Sequence, residues 1–147
     1  MPLAAASRAG YSCSMKSDGL TVSAVVPAEP AVIYKAWLSG KEHAAMTGSA
    51  ATGTGKVGAK YTAWDGYISG TTLELEAGKR IVQSWRSTDF AKDTPDSRLE
   101  VILAKATGGT KVTLKHTDLP SGSKEGYRKG WIDFYFAPMK KYFGARH

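Results

Sequence analysis

His116 is the residue whose type and setting could most readily do chemistry. It falls in the alternating segment 110–118, on the same predicted face as Val112 and Leu114. An imidazole titrates near neutral pH, so His116 could act as a general base if a substrate reached it. Buried without a partner, it would cost about 1–3 kcal/mol. We therefore expect a backbone group, a buried water or a ligand to satisfy it, the first two being more common.

The sequence motifs give no support for metal binding, nucleotide binding or nucleophilic catalysis. The other histidines, His43 and His147, and the single cysteine, Cys13, have no spacing to His116 that indicates a metal cluster. The sequence has no G-x-S-x-G and no P-loop, and the glycine-rich residues 53–55 precede a predicted strand instead of opening a helix. We expect no metal and no cofactor, and we favour a binding role over a catalytic one.

Gln83 is the second polar side chain predicted to point inward. The segment 80–87 (RIVQSWRS) places Ile81, Gln83 and Trp85 on one face. An amide among apolar side chains needs a hydrogen-bond partner just as a buried imidazole does. Gln83 and His116 are therefore the most informative members of any internal site.

The segments that would position these residues alternate between strands and short turns. Residues 20–26 alternate and are β-branched, which predicts a strand ended by Pro27. Pro30 then lies in the first turn of a helix that stops at Gly40. The sequence further predicts a short helical turn at 42–46, a glycine-rich loop at 47–55, strands at 57–64, 67–76, 80–87, 98–106 and 110–118, and an exposed loop at 88–96.

A long C-terminal helix is predicted at residues 121–143, because aromatic residues recur there at helical spacing. Pro138 lies inside it and should kink or split it. An antiparallel sheet with one apolar face must cover that face, and this helix is the only long element available to do so. Its buried stripe should contain Tyr127, Trp131, Phe134, Tyr135, Pro138 and Tyr142.

These elements predict an α+β fold with two short helices after the first strand. A curved six-stranded antiparallel sheet should surround the C-terminal helix in a single domain at residues 18–147. Residues 1–17 are rich in Ala and Ser without periodicity, so we expect a flexible tail in which Met15 could be the true start.

The composition is that of an ordinary globular domain with a basic excess. Its 147 residues are 42% hydrophobic and carry a formal net charge of +7. From Ser97 onward there are ten Lys or Arg against four acids, so the second half holds most of this excess. A basic face could steer nucleic acid, an acidic partner or anionic lipid, or it could simply be solvated, which composition alone favours. We expect no nucleic-acid partner.

Two further absences suggest where the protein works. A single cysteine cannot form an internal disulfide, so nothing requires an oxidising compartment. No apolar run approaches the roughly 18 residues that span a bilayer, so we expect no membrane insertion. We also expect a cytoplasmic protein that is either a monomer or a weak homodimer.

The order of elements resembles the helix-grip fold of START-like domains. The chain is more closely similar to the family named for the activator of the 90-kDa heat-shock protein ATPase, over residues 20 to about 143. The resemblance is carried by residues 64–70 (WDGYISG), 73–76 (LELE) and 78–86 (GKRIVQSWR), by Gly109 and Thr110 leading to His116 and Pro120, and by Gly130 and Trp131.

The helix-grip resemblance implies a cavity between the concave sheet face and the helix. Such a cavity would suit a hydrophobic small molecule held by a few polar groups. The same residues could instead pack together as core, which is the more common role of an apolar stripe. The predicted walls are Tyr61, Leu73, Leu75, Gln83, Trp85, Leu99, Val101, Leu103, Leu114, His116, Trp131 and Tyr135.

Three functions follow from the resemblance and stay open. Bacterial stand-alone members resemble ligand-binding or regulatory modules, and this is our leading hypothesis. A co-chaperone role would use the loop at 88–96 and the basic residues of the second half. In the eukaryotic activators, however, a separate N-terminal domain makes most of the chaperone contact, and a chain of this length does not hold both. The third function is that of a small cyclase or hydrolase that uses His116 as its general base. The basic residues that a co-chaperone role would use are Lys111, Lys115, Lys124, Arg128 and Lys129.

Overall fold

This computed structural model describes residues 18–144. The predicted tail at residues 1–17, together with Met15 and Cys13, lies outside the described residues, as does His147. The elements are β1 (Asp18–Val26), α1 (Pro30–Leu38), α2 (Gly40–Thr47), β2 (Lys60–Ala63), β3 (Ile68–Glu76), β4 (Arg80–Ser87), β5 (Ser97–Ala106), β6 (Gly109–Leu119), α3 (Lys124–Trp131), a π-helical turn (Ile132–Phe136) and α4 (Ala137–Gly144).

The described strands form one six-stranded antiparallel sheet in the order β1-β6-β5-β4-β3-β2. The predicted α+β helix-grip architecture is therefore confirmed. Four residues predicted as walls of the concave face do share one side of the sheet, because Leu99 lies opposite His116 and Val101 opposite Leu114. Alternation of apolar residues with a period of two sets this register, since a slip of one residue would expose the whole inner set.

The C-terminal helix covers the inner face of the sheet and is continuous. Its most deeply buried side chains recur at every fourth position, and each is at most 2% exposed: Tyr127, Trp131, Tyr135, Met139 and Phe143. Phe136 is buried beside them. The predicted stripe is confirmed for Tyr127, Trp131 and Tyr135. Phe134, Pro138 and Tyr142 are instead only partly buried, and Met139 and Phe143 take their place facing the core.

Pro138 does not split the helix. It follows a π-helical turn, in which the backbone N–H of Ala137 donates to the carbonyl of Ile132, five residues back. A proline cannot donate to the preceding turn and its ring crowds that turn, and a wider π turn relieves both problems. The turn also keeps Tyr135 and Met139 on the sheet side.

A bulge in β3 overturns one predicted wall residue. The pairing with β4 shifts between Thr72 and Glu74, so the inward and outward sides exchange at Leu73. Thr72 is 2% exposed and points inward, whereas Leu73 is 44% exposed. Leu73 is therefore not part of any internal site, and Leu75 is only partly buried.

Candidate functional site

His116 ties the sheet to the C-terminal helix. Trp131 Nε1 donates to Nδ1 of His116 over 3.1 Å. Ser97 Oγ lies 2.8 Å from Nε2 of His116 and donates its own hydrogen to the carbonyl of Trp85 over 2.7 Å. His116 must therefore carry its proton on Nε2 and accept on Nδ1. Both ring nitrogens are satisfied in the neutral form.

This arrangement does not suit a general base. His116 is fully buried, and burial lowers the pKa of its imidazole to about 3. Its one lone pair is already engaged by Trp131. A base needs a free lone pair within reach of substrate, and His116 has neither the lone pair nor the access.

Gln83 lies between the first helix and the sheet. Trp37 Nε1 donates to Oε1 of Gln83 over 3.2 Å, and Nε2 of Gln83 donates to Oγ1 of Thr72 over 3.2 Å. The partners of Gln83 and His116 are thus side chains from distant segments. The expected partners were a backbone group, a water or a ligand, and side-chain partners were not predicted.

His43 is a further buried histidine, and no role was predicted for it from the sequence. Its Nδ1 donates to the carbonyl of Trp37 over 2.8 Å, and its Nε2 accepts from the hydroxyl of Tyr135, also over 2.8 Å. Burial lowers the pKa of His43 to about 4, although the bond to Trp37 acts in the opposite direction. The available signal was its place three residues before Met46 on the buried face of α2.

A small pocket lies where these groups meet, at the end of the sheet that carries the loop at residues 52–55. Its enclosed volume is about 10 Å³, which is close to the minimum for one water molecule. The walls are Trp37, Leu38, His43, Thr52, Gly53, Thr54, Gly55, Lys60, Tyr61, Thr62, Ile68, Thr72, Gln83, Trp85, Leu99 and Tyr135.

The pocket gathers only part of the predicted site. Five predicted residues line it: Tyr61, Gln83, Trp85, Leu99 and Tyr135. The others that point inward are packed in the core and do not line it: Val101, Leu103, Leu114, His116 and Trp131. The centre of the domain is filled by aromatic rings, with the centroids of Trp85 and His116 4.5 Å apart and those of Trp131 and Tyr135 4.8 Å apart.

The predicted basic surface divides into paired and unpaired cations. Arg128 pairs with Glu125 over 3.4 Å, and Lys129 pairs with Asp133 over 3.2 Å. In the described part of the chain, the exposed residues Lys111, Lys115 and Lys124 form no ion pair within 4.0 Å. The unpaired lysines on β6 thus leave positive charge available on the outer face of the sheet.

Two further features of residues 18–144 bear on other functions. No three His, Cys, Asp or Glu side chains come together in a way that could hold a metal ion. None of the helices described has the length and apolar character needed to cross a membrane.

The comparison with known proteins decides the family. The family described as "Activator of Hsp90 ATPase homolog 1-like protein" matches residues 27–144. The chain belongs to this family. The resemblance identified from the sequence is therefore confirmed.

Relatives in this family share the fold at low sequence identity. The human protein named activator of 90 kDa heat shock protein ATPase homolog 1 is 27% identical over 128 residues, covering 85% of this chain and 37% of its own length. The chain thus spans little more than a third of that relative. An HSP90 activator from Plasmodium falciparum has a TM-score of 0.73 at 23% identity, covering 87% of this chain and 96% of that one.

A second solved relative was described as a dimer. The solution structure of the Aha1 dimer from Colwellia psychrerythraea has a TM-score of 0.72 at 14% identity, covering 88% of this chain and 99% of that one. At these identities the solved structures establish the fold shared with this chain.

Proposed function

We propose that this domain is a non-catalytic binding module of the activator family, which binds a 90-kDa heat-shock chaperone through its surface in the cytoplasm. The observation that carries the proposal is the packed interior: the pocket beside Gln83 and His43 has a volume of only about 10 Å³, and aromatic rings fill the centre of the domain. Such a domain has little room for an internal ligand, so its binding groups are those on the outside. The names of the human and Plasmodium relatives supply the partner.

The charge of the domain supports association with an acidic surface. The net charge is +7, and Lys111 and Lys115 project from β6 without an ion pair within the described residues. Positive potential speeds encounter with a negatively charged partner and weakens as salt screens it. We therefore expect binding that falls markedly between low and physiological ionic strength.

The test is titration calorimetry of the full chain against the purified 90-kDa chaperone of the same organism, at low and at physiological salt, followed by an assay of chaperone ATPase. We expect saturable binding that is strongest at low salt. A rise in ATPase rate would extend the proposal to activation. Absence of binding at low salt, where attraction is strongest, would refute the proposed function.

A second candidate is a small ligand in the pocket, and spare hydrogen-bond donors favour it. Gln83 uses one amide hydrogen on Thr72, which leaves its second amide hydrogen and the hydroxyl hydrogen of Thr72 without a hydrogen-bond partner in the described structure. The space admits about one water, so a larger hydrophobic ligand requires the loop at residues 52–55 to move.

Thermal shift with a library of aromatic acids and fatty acids tests this candidate, because a ligand of the native state raises the melting temperature by mass action. A genuine pocket ligand should lose its effect in Gln83→Leu, and native mass spectrometry of protein from its own host should show it retained. A library that shifts nothing would leave surface binding as the one function to pursue.

A further inference from the structure

β1 forms one end of the sheet and has an open backbone edge. Nη1 of Arg128 donates to the carbonyl of Thr21 over 3.2 Å, so this carbonyl points away from β6. Backbone direction repeats every second residue, so the N–H and C=O groups of Ser23 and Val25 point the same way. Within residues 18–144, nothing bonds Ser23 or Val25 from that side.

The opposite edge of the sheet is treated differently. At β2, the backbone of Thr62 exchanges two hydrogen bonds with Thr52, and the hydroxyls of the two residues lie 2.8 Å apart. The segment before β2 thus covers that edge. Among the described residues, β1 has no such cover, and Arg128 is the one side chain of residues 18–144 that bonds its outward backbone.

From Leu20 to Val26, β1 lacks the features that usually protect an edge strand; a register shift between Asp18 and Leu20 and the charge of Asp18 are confined to its start. Residues 20–26 (LTVSAVV) contain no charged residue and no proline, and the pairing with β6 is regular from Leu20 onward. Natural sheets normally block such an edge with a lysine, a proline or a bulge. An edge left open in this way is a template for an added strand.

Positive charge lies beside the middle of this edge, whereas the carboxylate of Asp18 lies at its start and accepts from the backbone N–H of Lys124. On the outer face, Lys115 lies opposite Thr21 and Lys111 lies opposite Val25. The edge itself carries the guanidinium of Arg128. Glu125 pairs with Arg128, and Glu100 of β5 lies opposite Lys115 and attracts it from beyond ion-pair distance. Among residues 18–144, Lys111 and Lys115 thus remain outside any ion pair within 4.0 Å.

We propose that β1 is a docking edge for an extended acidic segment of a partner protein, which adds to the six-stranded sheet as a further strand. Its backbone bonds the outward groups of Ser23 and Val25, and its carboxylates lie beside Lys111, Lys115 and Arg128. A second copy of this chain fits less well, because each copy carries a net charge of +7. The inference rests on the proposed function for the identity of the partner alone.

A peptide probe tests the edge without the chaperone. A nine-residue peptide alternating Val and Glu is added to the full chain, and amide exchange is followed by NMR; the control peptide has Lys in place of Glu. We expect the Glu peptide to slow exchange at Ser23 and Val25 by about tenfold, with little effect from the Lys peptide. Equal exchange with and without the Glu peptide would overturn the proposal.

Two substitutions at Ser23 separate backbone from side chain. Ser23→Pro removes the outward N–H and no ladder bond to β6, whereas Ser23→Ala keeps that N–H. We expect S23P to weaken binding of the peptide and of the chaperone about tenfold, and S23A less than about twofold. If S23P keeps its melting temperature and binds as S23A does, the edge is not the docking site.

Charge reversal provides a measurement that does not depend on S23P folding. Lys111→Glu with Lys115→Glu should weaken binding about tenfold, while Lys56→Glu with Lys79→Glu changes net charge equally in an exposed loop and an exposed turn and should have a smaller effect. Equal loss in both pairs would overturn the proposed position.

The outcomes distinguish this inference from the proposed function. Chaperone binding by the wild type that survives S23P and the β6 reversal refutes the edge and leaves the function standing. Slower amide exchange with the Glu peptide, without any binding of the chaperone, supports the edge and refutes the proposed function. Self-association in sedimentation equilibrium that S23P abolishes would replace the acidic partner by a second copy and so overturn the proposal.

Discussion

The indole of Trp131 and the imidazole of His116 form a hydrogen bond of 3.1 Å between side chains that are 1% and 0% exposed. The bond joins α3 to β6 at the place where the aromatic stripe of the helix enters the sheet. A buried bond of this kind contributes modestly while it is formed, but leaving one partner unpaired is costly. Trp131 and His116 should therefore behave as a unit.

Removing both partners should destabilise the fold by less than the sum of the two single losses, because each single variant leaves the other partner unpaired. We expect Trp131→Phe to lower the free energy of unfolding by about 2–4 kcal/mol, because it leaves Nδ1 of His116 unpaired and empties part of the ring site. In the double-mutant cycle with His116→Phe, the coupling should be roughly 1 kcal/mol in favour of the pair. Urea unfolding measures all three variants, and additive effects would show that the bond contributes nothing.

Acid should unfold the protein through its buried histidines. The native pKa values of His43 and His116 are lowered by burial to about 4 and about 3, whereas an unfolded histidine titrates near 6.5. The unfolded chain therefore binds more protons below pH 6.5, and stability falls as pH drops from there toward the native values. With both sites contributing, we expect a loss approaching about 2.7 kcal/mol per pH unit near pH 5.

Urea unfolding at pH 7, 6 and 5 measures this slope, and a substitution supplies its control. His116→Phe removes one of the two titrating sites, so its slope below pH 6 should be about half that of the wild type. An unchanged slope would mean that His116 is not the buried neutral group described above. A wild-type stability that is flat between pH 7 and 5 would contradict the role of both histidines.

The sheet could be predicted because its determinants are local. Alternation in β5 and β6 set the pairing of Leu99 with His116, and the basis was a pattern visible within ten residues of sequence. The aromatic spacing predicted the C-terminal helix for the same reason. The exchange of sides at Leu73 could not be seen, since a bulge depends on the register with β4 and breaks the alternation only once.

The pocket could not be predicted because its bonds join distant parts of the chain. His43 and Tyr135 are 92 residues apart, and Trp37 and Gln83 are 46 apart. Residue type indicates that each group needs a partner, but only the assembled fold decides which partner comes within reach. The filled interior has the same origin, since an apolar face looks alike in sequence whether it lines a cavity or a packed core.

Gly70 should be irreplaceable, although its position in β3 looks ordinary. A Cβ on Gly70 would lie 1.9 Å from the carbonyl oxygen of Ser84, which belongs to the neighbouring strand and cannot move aside cheaply. We expect Gly70→Ala to cost more than about 3 kcal/mol, or to prevent folding. Gly19 in β1 is a matched control, because a Cβ there meets nothing closer than 3.6 Å. Gly19→Ala should be neutral or slightly stabilising, and equal melting temperatures for the two variants would contradict the steric argument.

Arg86 should hold the exposed loop at residues 88–96 in one conformation. Its Nη1 donates to the carbonyl of Thr94 over 2.7 Å and to Asp96 over 2.8 Å, and its Nη2 donates to the carbonyl of Ala91 over 2.8 Å. The guanidinium also lies 5.4 Å from the ring centroid of Phe90. A planar fork can hold several acceptors at once, whereas a lysine at the same place keeps the charge but not the fork.

We expect Arg86→Lys to speed amide exchange across residues 88–96 by about tenfold or more, while the global free energy of unfolding falls by about 1 kcal/mol at most, because Phe90 is the one residue of this loop that is buried in the core. Arg98→Lys is the control, since Arg98 makes a single long pair of 3.8 Å with Glu100. If both variants leave exchange in the loop unchanged, the loop is held by its own backbone turns. If R86K alone loosens it, any partner that binds this loop must restore its order, and chaperone affinity should then fall in R86K although its net charge is that of the wild type.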